Sequence, residues 1–267
     1  MPFMQSKEKT LHYDLRPLSS PEDVLFIHGN LSSNKWWEPT MVELKAQWEE
    51  DETLTGSLAA MEWLGCGKSR GPITVETLQM KELAKDYIQF CHTAGLKNVH
   101  LVGHSTGGLI ALYCLLLEPG LFEKALLLDP VGAKGIQFGQ EMYDAFSQMK
   151  ADREFCASVM AGTIRGVQPE DPQFQALVDD AFQVQEEIWH GVPDALKQVD
   201  LYQHLKDIPH PVMVLHGEFD TLLPMAESQA LAKGLPSGQF KKLKGQGHST
   251  NMENPGLLAQ EIIDFFF

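Results

Sequence analysis

The stretch VHLVGHSTGGLIAL (residues 99–112) decides how the rest of the chain is read. An apolar run breaks at Gly103-His104-Ser105-Thr106-Gly107-Gly108 and then resumes with helical character. A short continuous apolar run suits a strand buried on both faces, and the run after it suits a helix packed on that strand. A serine fenced by glycines between the two marks a sharp turn, because small neighbours permit backbone dihedrals that bulkier ones block. The following helix aims its free N–H groups at the serine, where they favour developing negative charge. Ser105 is therefore read as a candidate nucleophile in a G-x-S-x-G turn.

The same alternation extends outward from this turn. Strands are expected over residues 24–28, 54–63, 99–102, 125–128, 211–216 and 239–243. Helices are expected over 36–48, 75–91, 109–117 and 224–232, with a last one from Pro255. Strands alternating with helices predict an α/β fold with a mostly parallel sheet covered on both faces. The stretch from about 131 to 208 is different. It has no convincing strand and carries Phe138, Met142, Phe146, Met149, Phe155, Met160, Phe174, Phe182 and Trp189 at roughly helical intervals. The chain is read as one domain over 1–267, with a core of 1–130 and 209–267 and a helical insertion between. Singly those side chains are core residues; together they can line an apolar pocket.

A serine needs a base and an acid to orient it. Asp220 follows the strand ending at His216, and His248 lies in Gly245-Gln-Gly-His, just past the last strand. All three then sit at the carboxyl ends of parallel strands, where sites in such sheets form, in the order Ser, Asp, His. Asp129 also follows a strand and competes for the role of acid, although it equally suits a turn opener before Pro130. Asp220 is preferred, and Glu218 is two residues too early. His28 and His104 are read as structural, and His216 as core.

Composition narrows the classes. The 267 residues are 43% hydrophobic and carry a net charge of −15, from 36 acidic and 21 basic side chains. Such a surface repels nucleic acid and anionic membrane. No run approaches the eighteen or so apolar residues of a membrane span, and no signal peptide is evident, so a cytoplasmic location is expected. Cys66, Cys91, Cys114 and Cys156 are scattered singly, as free thiols. No histidine cluster has metal-ligand spacing, and Gly67-Lys68-Ser69 lacks the upstream glycine of a phosphate loop. Neither metal nor cofactor is expected, and the oligomeric state is left open.

HGN (28–30), GHSTGG (103–108), HGEFD (216–220) and GQGHSTNMENP (245–255) together resemble the α/β-hydrolase superfamily over most of the chain. EWLGCGKSRGP (62–72) is similar to that family's D-x-x-G-x-G-x-S stretch, with Glu62 where aspartate is usual. The resemblance implies an oxyanion hole from the backbone N–H groups of Thr106 and Asn30, with Leu31 as second choice for the latter. Haloalkane dehalogenases share HGN but need an aspartate nucleophile, which Ser105 cannot replace. The implied activity is a serine esterase or lactonase acting through an acyl-enzyme on a small, mostly apolar substrate. Thioester or C–C bond hydrolysis, or a binding protein with little turnover, remain alternatives on the same residues.

Overall fold

A computed structural model describes residues 2–48 and 53–267. In chain order the strands are β1 (Phe3–Ser6), β2 (Lys9–Ser20), β3 (Val24–Ile27), β4 (Gly56–Met61), β5 (Val99–His104), β6 (Phe122–Leu128), β7 (Val212–Gly217) and β8 (Gly238–Leu243). The helices are α1 (Glu38–Gln47), α2 (Met80–Ala94), α3 (Thr106–Leu117), α4 (Gln140–Ala151), α5 (Arg153–Ala161), α6 (Pro172–Phe182), α7 (Ile188–Lys197), α8 (Met225–Gly234), α9 (Thr250–Glu253) and α10 (Pro255–Phe266). The eight strands form one sheet in the order β1-β2-β4-β3-β5-β6-β7-β8. β1 and β2 pair antiparallel, as do β2 and β4; β3 to β8 and β4 run parallel. This order, mostly parallel with helices on both faces, is the α/β-hydrolase architecture that the resemblance implied.

Alternation along the central strands divides the core between the sheet's two faces. Leu25, Ile27 and Leu101 join one apolar cluster with Leu83, Ala84, Leu109 and Leu112 of α2 and α3. Val24, Phe26 and Val102 join another with Trp37, Leu44 of α1, and Leu258 and Ile262 of α10. Both faces are thus covered, which is why β3, β5 and β6 read as near-continuous apolar runs. Each fully buried leucine or phenylalanine contributes about 2 kcal/mol relative to exposure. Among the described residues, no helix is long and apolar enough to cross a membrane.

The first two strands are not among those expected from the sequence. β2 is only half-buried, with a register shift between Pro17 and Ser20 and Leu18 at φ 52°, so no clean period-two pattern marks it. The hairpin is held by long-range contacts: Lys9 Nζ lies 2.6 Å from Asp86 Oδ2, and Ser6 donates to Gln89 of α2. Between β6 and β7 the chain runs through α4 to α7 without a strand.

What positions the site is the packing of α3 over the ends of β3 and β5. A Cβ on Gly107 would stand 2.2 Å from the carbonyl oxygen of Ile27 and 2.6 Å from that of His28. One on Gly103 would stand 2.6 Å from the carbonyl oxygen of Gly107. Only glycine lets the helix start this close to the strand backbone. Gly107→Ala should therefore lower stability by about 3 kcal/mol or more in urea unfolding. Gly120→Ala, where nothing lies within 4 Å, should stay close to wild type. Equal stability of the two variants would refute the packing argument.

Candidate active site

Ser105 sits between β5 and α3 at φ 55° and ψ −119°, a conformation costly for a non-glycine residue. Three hydrogen bonds tie its backbone to its neighbours: its N–H donates to Leu128 (3.0 Å), and its carbonyl accepts from Gly108 (3.0 Å) and Val131 (3.1 Å). The half-buried side chain lines a cavity of about 470 Å³ together with His248 and Asn30. Among the described residues Ser105 Oγ has no hydrogen-bond partner; such contacts often tighten only around a substrate.

His248 comes from the loop after β8 and Asp220 from the loop after β7. His248 Nδ1 lies 2.8 Å from Asp220 Oδ2, and the carboxylate is fully buried. Asp220 Oδ1 accepts the N–H groups of Leu222 (2.7 Å) and Leu223 (3.2 Å), which fixes its plane. Burial pushes this carboxyl upward, but the hydrogen bond and charge of His248, with the two N–H groups, outweigh it and hold it below the ordinary carboxylate range. Glu218 is engaged elsewhere, with Lys242 and the N–H of Gly245.

The N–H groups of Asn30 and Thr106 make no hydrogen bond within the described protein, and Thr106 opens α3, where such N–H groups are free by geometry. Leu31 N–H instead donates to Asn30 Oδ1 (3.0 Å), which occupies the second-choice donor. The Asn30 loop lies beside Ser105, since a Cβ on Gly29 would stand 3.2 Å from Ser105 Cβ.

Three further histidines near the strand ends, His28, His104 and His216, are buried. Burial lowers His28 to about 3, and the indole N–H of Trp63 donates to its Nδ1 (2.8 Å). Burial, followed by the charge of His248, lowers His104 to about 3; its Nε2 bonds the His248 carbonyl (3.0 Å) and so anchors that loop. His216 is buried in the core, yet it also lies 3.4 Å from Asp129 and 3.8 Å from Asp220. Asp129, His216 and Asp220 offer oxygen and nitrogen atoms within 4.8 Å of one another. Their atoms already engage Gly217 N–H, Ser228 Oγ and His248, and the group is a hydrogen-bonded network.

Two positioning residues carried no role in the sequence reading. Glu253 accepts the N–H groups of Gly247 (2.6 Å), Ser249 (3.2 Å) and Arg165 (3.0 Å), bracing the histidine loop. The Arg165 guanidinium lies 4.4 Å over the Phe219 ring and donates to the Gly245 carbonyl, gripping both loops from the α5–α6 segment. Glutamate soon after a Gly-His loop is a readable signal for the first; nothing local marks the second. Glu62, buried, accepts from Lys68 N–H (2.6 Å) and pairs with His12 (3.0 Å), bracing its own loop. Among the cavity-lining residues the only ionisable side chains are His104 and His248. Met149, Met160, Phe146, Ile136 and Leu196 from the segment between β6 and β7 supply much of its apolar wall.

The sequence profile of the alpha/beta hydrolase family matches residues 24–261. A protein of Caulobacter segnis bearing the name carbamate hydrolase RutD is 25% identical over 257 residues, covering 93% of this chain and 92% of that one. One of the same name from Agrobacterium fabrum is 23% identical, covering 96% and 97%. Among solved structures, an esterase from Exiguobacterium antarcticum superposes with a TM-score of 0.85 at 19% identity, covering 98% of each chain. An enol-lactonase from Burkholderia xenovorans LB400 superposes with a TM-score of 0.82 at 17% identity, covering 99% of each.

Burying two neutral histidines has a measurable consequence. The unfolded chain takes up a proton at each near 6.5, whereas His28 and His104 in the fold resist to about 3. Their stabilisation is complete above pH 6.5 and is lost as pH falls towards 3, at up to about 1.4 kcal/mol per unit for each. Unfolding free energy should therefore drop by roughly 2 kcal/mol per unit between pH 6 and 4.5. In NMR titration, the His28 and His104 rings should hold their neutral shifts down to acid unfolding. Titration of every ring near 6.5 would contradict the burial argument.

Proposed function

The chain belongs to the alpha/beta hydrolase family, and from that premise we propose that it is a serine hydrolase cleaving an uncharged carboxylic ester or lactone. The observation that carries this reading is the His248 Nδ1 to Asp220 Oδ2 contact of 2.8 Å, at the edge of the cavity that Ser105 also lines. Ser105 attacks the carbonyl carbon while His248 Nε2 takes its proton. Asp220 holds His248 in the tautomer with hydrogen on Nδ1 and stabilises the imidazolium that forms. The neutral state of His104, packed against His248 at 4.8 Å between ring centres, adds no competing positive charge.

The tetrahedral oxyanion is stabilised by the N–H groups of Asn30 and Thr106, at the positive end of α3. Collapse expels the alcohol, protonated by His248. Water activated by the same histidine then releases the acid and restores Ser105.

The helices α4 to α7 act as the cap over this site. Substrate class follows from the wall they provide: apolar side chains, a few neutral polar ones and no cationic partner for a carboxylate. An ionised acyl group would lose its water without compensation. The relatives' name suggests a carbamate as the second reading. A free carbamate is a small anion and meets the same objection, whereas a neutral carbamate ester fits the same chemistry.

Hydrolysis of p-nitrophenyl esters from acetate to long chains, with a hemisuccinate ester, lactones and carbamate esters alongside, tests the reading. Neutral esters or lactones should be turned over well, and the hemisuccinate poorly. Ser105→Ala should lose roughly a thousandfold or more. Asp220→Asn should lose about ten-thousandfold, the cost of a wrong histidine tautomer in a serine protease. Full activity in Ser105→Ala would overturn the proposal. So would failure of a fluorophosphonate probe to label Ser105 in the folded protein, an outcome that favours a binding protein.

A further inference from the structure

The ends of β5, β6 and β7 lie side by side. Pairing of His104 with Leu128, and of Leu128 with Leu215, sets Asp129 between Ser105 and His216. Asp129 is fully buried, as is the carboxylate of Asp220, and oxygens of the two lie within 4.8 Å of each other. Asp129 Oδ1 accepts the N–H of Gly217 (2.8 Å), while Oδ2 is buried without a hydrogen-bond partner.

The groups that face Asp129 come from four elements. β7 supplies His216, with Nδ1 3.4 Å from Oδ1, and the loop after β7 supplies Asp220. Behind Asp220 stands His248 from the loop after β8, and α9 adds the negative charge of Glu253. α8 adds only the Ser228 hydroxyl, 2.9 Å from His216 Nδ1. Among the described residues, no lysine or arginine pairs with Asp129. Two buried carboxyl groups this close do not both ionise near neutral pH. Burial, then the charge of Asp220, pushes the Asp129 carboxyl well above its ordinary range, whereas His248 keeps Asp220 ionised.

We propose that Asp129 is a neutral carboxylic acid whose Oδ2–H group donates to the Asp220 carboxylate, orienting it and withdrawing charge from it. The proposal rests on the Ser105, His248, Asp220 reading. Asp129 touches neither substrate nor reacting atoms; it is a positioning residue acting through Asp220. Its carbonyl oxygen is the one already bonded to Gly217, which leaves the unpartnered oxygen to carry the proton. Withdrawing charge from Asp220 lowers the basicity of His248, so that the imidazole stays neutral, and competent as a base, to lower pH.

The test compares pH profiles of kcat/KM on p-nitrophenyl butyrate for wild type, Asp129→Asn and Asp129→Ala, with melting temperatures at each pH. The amide of Asp129→Asn reproduces both the acceptor for Gly217 and the donor to Asp220. Its rate should stay within about tenfold of wild type, with the acid limb unmoved. Asp129→Ala removes the donor, and the acid limb should rise by about half a unit or more. A carboxyl raised in the fold stabilises below its unfolded value near 4 and loses that contribution as pH rises. Asp129→Asn should therefore gain in melting temperature over wild type between pH 4 and 8.

A downward shift of the acid limb in Asp129→Asn would mean that a negative charge had been removed, and would overturn the proposal. A ten-thousandfold loss in Asp129→Asn, with Asp220→Asn nearly silent, would make Asp129 the triad acid and overturn the reading beneath it. If Ser105→Ala stays active, the triad reading alone has failed, and the melting-temperature comparison still decides the proton on Asp129. Carboxyl carbon NMR of the wild type decides it without any folded variant. One aspartate should keep its protonated shift through neutral pH, and its absence would refute the proposal.

Discussion

The close approach of α3 to the ends of β3 and β5 is the constraint on which the rest of this structure depends. Gly103 and Gly107 have no room for a side chain, so the chain turns from strand to helix within a few residues and Ser105 is carried at φ 55°. The energetic cost of that backbone is met by packing on both sides of the sheet and by the hydrogen bonds that Ser105 N–H donates to Leu128 and that its carbonyl accepts from Gly108 and Val131. Because β3, β5, β6 and β7 run parallel and in register, their carboxyl ends deliver Gly29, Ser105, Asp129 and the Asp220 loop to one edge. A site built this way inherits the rigidity of the sheet.

Electrostatics around that edge follows from burial. Beside His248, five titratable groups, His28, His104, His216, Asp129 and Asp220, are removed from water there, and burial pushes four of them towards their neutral form. Asp220 alone remains charged, because a histidine and two backbone N–H groups compensate it. Neutral neighbours leave the interaction between Asp220 and His248 undiluted. A second ring of contacts, Glu253 on three backbone N–H groups and Arg165 over Phe219, holds the loops that carry the pair. Arg165 also links those loops to the helices between β6 and β7, so that the wall of the cavity and the alignment of the site share one anchor.

The cavity has two unlike sides. The polar edge is made by strand ends; the apolar wall is made largely by the segment between β6 and β7. Under the proposed reading, an uncharged wall selects against ionised substrates through the cost of desolvation rather than through any specific clash. The methionines in that wall are flexible and adapt to irregular shapes.

Much was legible in the sequence by itself, because its signals were local. Apolar runs of strand length, glycines around Ser105 and turn residues after each strand marked the central sheet and the edge where the candidate residues gather. The helical stretch without strands stood out for the same reason. The β1–β2 hairpin did not, since β2 is half-buried, bulged at Pro17 and secured by contacts to α2 far along the chain. Local pattern preferred Asp220 but left Asp129 as a competitor, since both acids follow apolar strands. Strand register places Asp129 against Gly217 and His216, while the turn at Leu222 and Leu223 aims Asp220 at His248. Periodicity is a property of neighbours in sequence; which carboxylate meets which ring depends on cross-strand distances that only the packed sheet sets.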